Sequence, residues 1–173
     1  SGSRRGSIAF ELGTSRVVLT QRPDYVSKVA ELQALRRVVA TYDATVSGNV
    51  SSGEAELIVE RLCVLLTIAT GALVTWTEHR GVGRDGQATL RYRSAITRPY
   101  TPTPLLDLQR PDLIKRFVSN AWGRYEAIDR AIPIRQLAHA WVDLGGHSFL
   151  QSRALTAASL IELLTTVVGK ASK

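Results

Sequence analysis

The chain has 173 residues, with 22 Lys and Arg against 15 Asp and Glu, three His, one Cys and no Met. That length suits one domain, with room for an appended subdomain and a core of real size. Its 45% hydrophobic and 21% charged content excludes a disordered chain. A lone Cys excludes a disulfide scaffold and a Cys-rich zinc site, and it fits a reducing, cytoplasmic setting. The longest apolar run, residues 62–72, is broken by Thr67, Thr70 and Gly71 and is too short for a membrane span. No N-terminal apolar run reads as a signal peptide.

The formal charge of +7 raises the question of a polyanion partner. Residues 1–50 carry seven basic and four acidic groups, residues 51–109 six of each, and residues 110–173 nine and five. Arg4, Arg5, Lys170 and Lys173 lie near the ends, so part of the basicity belongs to tails. No run of five basic residues occurs, and none is interleaved with aromatics as a stacking surface requires. Residues 1–7 read as a tag or linker, and the missing Met leads us to expect a piece of a longer protein.

Residues 8–12 and 16–20 are rich in β-formers around Gly13-Thr14, the pattern of a hairpin. Pro23, with Tyr25, Val29, Leu32 and Leu35, predicts a helix over 23–35. Alternation over 38–46 predicts a half-buried strand. Ser51 and Glu54 have the spacing of a capping box, and the helix they open is predicted to run to Thr70 and stop at Gly71. Its second half is apolar nearly all round, so it reads as the core helix, with Leu62, Leu65 and Leu66 inside.

Residues 73–79 and 87–97 read as two arms of a β-hairpin. Ala88, Leu90, Tyr92, Ser94 and Ile96 share one face, expected to be buried. Gln87, Thr89, Arg91, Arg93 and Thr97 share the other, expected to be wet. Residues 98–104, with three prolines, read as an irregular connection. A stripe through Ile114, Phe117, Val118, Ala121, Trp122, Tyr125 and Ile128 predicts one long helix. A second helix is predicted from Pro133 to Gly145-Gly146, and a third after a capping-box spacing at Ser148 and Gln151. The expected fold is α+β: a small antiparallel sheet packed on a central apolar helix in residues 8–104, then a C-terminal three-helix region in 105–173.

The chemistry-bearing motifs are few. Gly81-Val82-Gly83-Arg84-Asp85-Gly86 matches G-x-G-x-x-G but leads into a strand, so it reads as a hairpin loop and not a dinucleotide site. His79, His139 and His147 have no zinc spacing and no hydrolase elbow beside them. The scattered aspartates form no calcium loop. Cys63 reads as a small buried hydrophobe. No catalytic residue, metal or cofactor is expected. Arg91 and Arg93, with Arg80 and Arg98 nearby, form the candidate site for an anionic ligand, because two guanidiniums on one sheet face can fork onto phosphates or carboxylates. Arg116, Asn120 and Arg124 form a second polar line, read as the solvent face of the long helix.

Residues 60–71 running into Val74-Thr75-Trp76 carry a family likeness. It continues through Ile96-Thr97-Arg98-Pro99-Tyr100, Trp122 and Tyr125, Phe149-Leu150-Gln151-Ser152-Arg153-Ala154-Leu155 and Glu162-Leu163-Leu164. This order resembles the bacterial ApeA-type group, whose helical C-terminal part is HEPN-like. The resemblance implies an α+β region followed by a HEPN-like helical region, in a setting of prokaryotic defence. Active HEPN ribonucleases carry an Arg, four to six residues, then a His. Here Arg135 precedes His139 by three intervening residues, and no His follows Arg153. The resemblance therefore assigns no catalytic residue.

The expected function is a non-catalytic binding or interaction module, with a protein partner or self-association first and nucleic acid second. The alternative is a HEPN-type RNA-binding protein or ribonuclease whose catalytic part is missing or degenerate.

Overall fold

The computed structural model describes residues 6–35, 40–82, 87–93, 104–107 and 110–146, and beyond them Ala157, Ala158, Ile161, Glu162 and Thr165. The fold is α+β. The chain forms two compact units, Ser1–Cys63 with Thr75–Tyr100, and Val64–Val74 with Thr101–Lys173.

In the first unit, β1 (Ser7–Leu12), β2 (Ser15–Gln21) and β3 (Tyr42–Ser47) form an antiparallel sheet in the order β1-β2-β3. Leu12 pairs with Ser15, which leaves Gly13-Thr14 as a two-residue loop, and Gly13 supplies the positive φ of 66°. Alternation places Phe10 opposite Val17, and both are buried with Leu12. On the other face Arg16 pairs with Glu11 at 3.4 Å. β3 starts at Tyr42, later than predicted, and residues 36–39 lie outside the described residues. It is exposed except at Val46, so the expected half-buried strand is an edge strand with little to cover it.

Helix α1 (Tyr25–Leu35) follows Pro23. Arg22 joins its start to β3 by pairing with Asp24 at 3.3 Å and Asp43 at 3.2 Å. Tyr25 meets Tyr42 edge to face, with centroids 5.6 Å apart.

Helix α2 (Ser52–Thr70) opens as the capping box requires. The Ser51 N–H donates to Glu54 Oε2 at 2.7 Å, and the Glu54 N–H donates back to Ser51 Oγ at 3.3 Å. Leu62, Val64, Leu65, Thr67 and Ala69 are buried, and Leu66 is half-buried. The helix stops at Gly71, whose φ is +64°. The first half of α2, through Cys63, belongs to the first unit and the rest to the second.

In the second unit the buried Thr67 hydroxyl is satisfied by the returning chain. It accepts from the Val74 N–H at 3.0 Å and donates to the Val74 carbonyl at 3.3 Å. The Leu105 and Leu106 N–H groups both donate to the Ala69 carbonyl, at 3.1 and 3.3 Å. The predicted long helix is two helices, α3 (Pro111–Trp122) and α4 (Tyr125–Ala131), with the break at Gly123 and Arg124. The apolar stripe survives because the break is a single turn. Ile114, Val118 and Tyr125 stay buried across it.

Helix α5 (Ile134–Gly146) starts after Pro133 and continues through both terminal glycines. Asp129 Oδ1 accepts from the Ile134 N–H at 3.1 Å and so caps its start. Ile134, Ala138 and Val142 form its buried face. Ser148, Gln151 and most of the third predicted helix lie outside the described residues, of which Ala157, Ala158, Ile161, Glu162 and Thr165 are helical.

Candidate functional site

The hairpin that carries the candidate arginines consists of β4 (Glu78–Val82) and β5 (Ala88–Tyr92). The first arm is displaced from the predicted 73–79: residues 73–77 are irregular, and Gly81 and Val82, read as loop, belong to β4. Residues 94–97 of the second predicted arm lie outside the described residues. Its pairs are Glu78 with Tyr92, His79 with Arg91, Arg80 with Leu90, Gly81 with Thr89, and Val82 with Ala88. Opposed residues share a face. One face therefore carries His79, Gly81, Thr89 and Arg91, and the other carries Glu78, Arg80, Val82, Ala88, Leu90 and Tyr92.

The first of these faces lies on α2. Gly81 approaches its opening turn so closely that a Cβ there would sit 3.0 Å from both Ser52 Oγ and Thr89 Oγ1. A side chain at Gly81 would therefore press on both hydroxyls. Residues 83–86 lie outside the described residues.

The arginines follow the same direction. Arg91 donates to Glu56 at 2.8 Å, and Arg93 donates through both terminal nitrogens to Glu60 Oε1 at 3.4 and 3.3 Å. Four residues of helix rise about 6 Å, and two residues of strand about 6.6–6.8 Å. A glutamate pair at i, i+4 thus matches an arginine pair at i, i+2. The Arg93 guanidinium also lies over the Trp76 ring, 5.3 Å from its centroid. His79 meets the same indole edge to face at 6.4 Å, and the Trp76 Nε1 and His79 Nδ1 atoms are buried without a hydrogen-bond partner.

The expected burial of Ala88, Leu90 and Tyr92 is therefore not observed, while Gln87, Thr89 and Arg91 are exposed as expected. Leu90 is 53% exposed, Tyr92 71% and Val82 77%, while Arg91 and Arg93 turn toward the glutamates of α2. Alternation sorts the residues into two faces, and the carboxylates Glu56 and Glu60 of α2 pair with the arginines of one of them. Arg80 stands on the outward face and pairs with Glu78. Arg98 lies outside the described residues. The structure thus brings Arg91 and Arg93 together, but on carboxylates of their own chain.

The sequence reading missed Glu56, Glu60 and Trp76 as partners, and Val82 as part of an apolar row. The i, i+4 spacing of the two glutamates was the signal available.

The remaining candidates are dispersed. Arg135 and His139 lie one turn apart on α5, and His147 lies outside the described residues. Arg116, Asn120 and Arg124 are exposed, as a solvent face should be. Burial pushes the Cys63 thiol up to about 12. Among the described residues, no three His, Cys, Asp or Glu side chains are placed to hold a metal ion, and no helix is long and apolar enough to cross a membrane. No family model, curated protein or solved structure matches the chain.

Proposed function

We propose that the chain is a non-catalytic interaction module that docks another protein on the outward face of the β4–β5 hairpin. One observation carries this reading: Val82, Leu90 and Tyr92 stand exposed on one face, while Arg91 and Arg93 are engaged by α2. Water does not favour that orientation. Burying a side chain of this kind contributes about 1.5–3 kcal/mol relative to leaving it exposed. A contiguous apolar row rimmed by charge is the usual mark of a docking surface. The row also suits protein better than nucleic acid, because its two charges, Arg80 and Glu78, pair with each other and leave nothing for phosphate.

The resemblance to the ApeA-type group supports the further reading that such docking serves prokaryotic defence. A HEPN ribonuclease reading has less support, since Arg135 and His139 have the wrong spacing.

The test is a photo-crosslinking residue placed at Tyr92 in cells producing the protein, with a control at Arg116 on the exposed face of α3. The proposal expects a protein adduct from position 92 and none from 116. An RNA adduct, or no adduct from either site, would overturn it.

A further inference from the structure

We propose that the occupant of the outward hairpin face is a second copy of this chain, bound about a two-fold axis; this rests on the docking reading above and names its partner. The argument is the charge pattern of the face. Along the hairpin the rows are Val82 with Ala88, Arg80 with Leu90, and Glu78 with Tyr92. Each of the last two rows holds one charge on β4 and one large apolar residue on β5.

Consider a second copy stacked face to face on the first. An axis lying in the face, crossing both strands between the Arg80 and Glu78 rows, places Arg80 over Glu78 of the second copy. The same axis places Leu90 over Tyr92. Both charges then meet their opposites and Leu90 meets Tyr92, while the Val82 and Ala88 row extends past the paired rows. Shifting the axis to the Arg80 row stacks Arg80 on Arg80. Turning it along the strands sets each charge on an apolar residue, which desolvates the Arg80–Glu78 pair and adds no opposite charge from the second copy. One arrangement is thus complementary, and it is isologous, the commonest symmetry of soluble oligomers.

A polyanion gains nothing from a face whose charges cancel, and a wholly apolar segment would desolvate the Arg80–Glu78 pair without adding a charge to either. The face is small beside the roughly 1,200 Å² that a stable interface buries at minimum, so the association is weak and concentration-dependent.

The experiment is sedimentation velocity of the full chain from micromolar to near-millimolar concentration, with melting curves as a check on folding. Wild type is expected to pass from monomer to dimer. Arg80→Glu makes both charges of the face acidic, and Glu78→Arg makes both basic. Each variant alone is expected to self-associate about tenfold more weakly or worse, because like charges now face each other. Mixed in equal amounts, the two variants are expected to form a heterodimer. Wild type that stays monomeric throughout overturns the proposal, as does a dimer that both variants retain or a mixture that stays monomeric. A monomeric wild type that still crosslinks to a different protein through position 92 overturns the second copy and leaves the docking reading standing.

Discussion

Arg93 and Glu60 meet 33 residues apart in sequence, with both terminal guanidinium nitrogens on one carboxylate oxygen and the Trp76 ring beneath the cation. Beside them Arg91 and Glu56 repeat the contact two strand residues away. These contacts tie β5 and the residue after it to α2. A double-mutant cycle of Arg93→Ala and Glu60→Ala should give a coupling of about 0.2–1 kcal/mol by chemical denaturation. Arg93→Lys should also lower the melting temperature, because Lys keeps the charge but loses the planar fork and the stack.

The same pairing predicts the behaviour of the arginines toward polyanions. An Arg91→Ala/Arg93→Ala protein should bind heparin or RNA with nearly the affinity and salt dependence of wild type, while melting at a lower temperature. A steep loss of salt-dependent binding with unchanged melting would instead assign the pair to an external anion.

Local signals in the sequence are legible where a few adjacent residues decide the outcome. Ser51 and Glu54 form the predicted cap, Gly13-Thr14 makes the predicted turn, and Leu62 and Leu65 are buried as expected. The failures came where distant residues decide. Periodicity shows that Leu90 and Tyr92 share a face opposite Arg91, but not whether anything covers either face or that Arg91 and Arg93 find Glu56 and Glu60 from more than 30 residues away. The break at Gly123 was missed because Tyr125 resumes the apolar stripe in phase after one turn.

The buried face of α2 should show in truncations. Leu65→Ala should cost about 2–5 kcal/mol by urea unfolding, since the side chain is fully buried. Leu57→Ala on the same helix is more than half exposed and should change stability by less than about 0.5 kcal/mol.

Two glycines should respond to alanine with opposite sign. Gly48 has a φ of +135°, and a Cβ there would come within 3.1 Å of the Thr14 carbonyl oxygen. Gly48→Ala should therefore destabilise by about 1–3 kcal/mol. Gly53 lies in the first turn of α2 with open space around it, so Gly53→Ala should stabilise by up to about 1 kcal/mol.

The capping box predicts a pH dependence. Hydrogen bonds from the Ser51 N–H first, and its hydroxyl second, hold the Glu54 carboxyl below its ordinary value. A carboxylate depressed in the folded state stabilises above its unfolded pKa, and that contribution is lost as the pH falls through the folded value. Glu54→Gln should accordingly melt below wild type at neutral pH, and the two melting temperatures should converge in acid.

Cys63 should be inert in the folded protein. With its thiol pushed up to about 12 by burial, almost no thiolate exists at neutral pH. Ellman's reagent should label it only after denaturant is added, and rapid labelling of the native chain would show that the site is open.

Hydroxyl-radical footprinting of Leu90 and Tyr92 tests the outward face most directly, because it reports the exposure on which the proposed function rests. In dilute protein both side chains should be oxidised readily while Leu62 and Leu65 stay protected, and raising the concentration should protect Leu90 and Tyr92 alone. Leu90 and Tyr92 as protected as Leu65 in the dilute protein would contradict the account, since the hairpin would then bury its apolar row and offer nothing to dock.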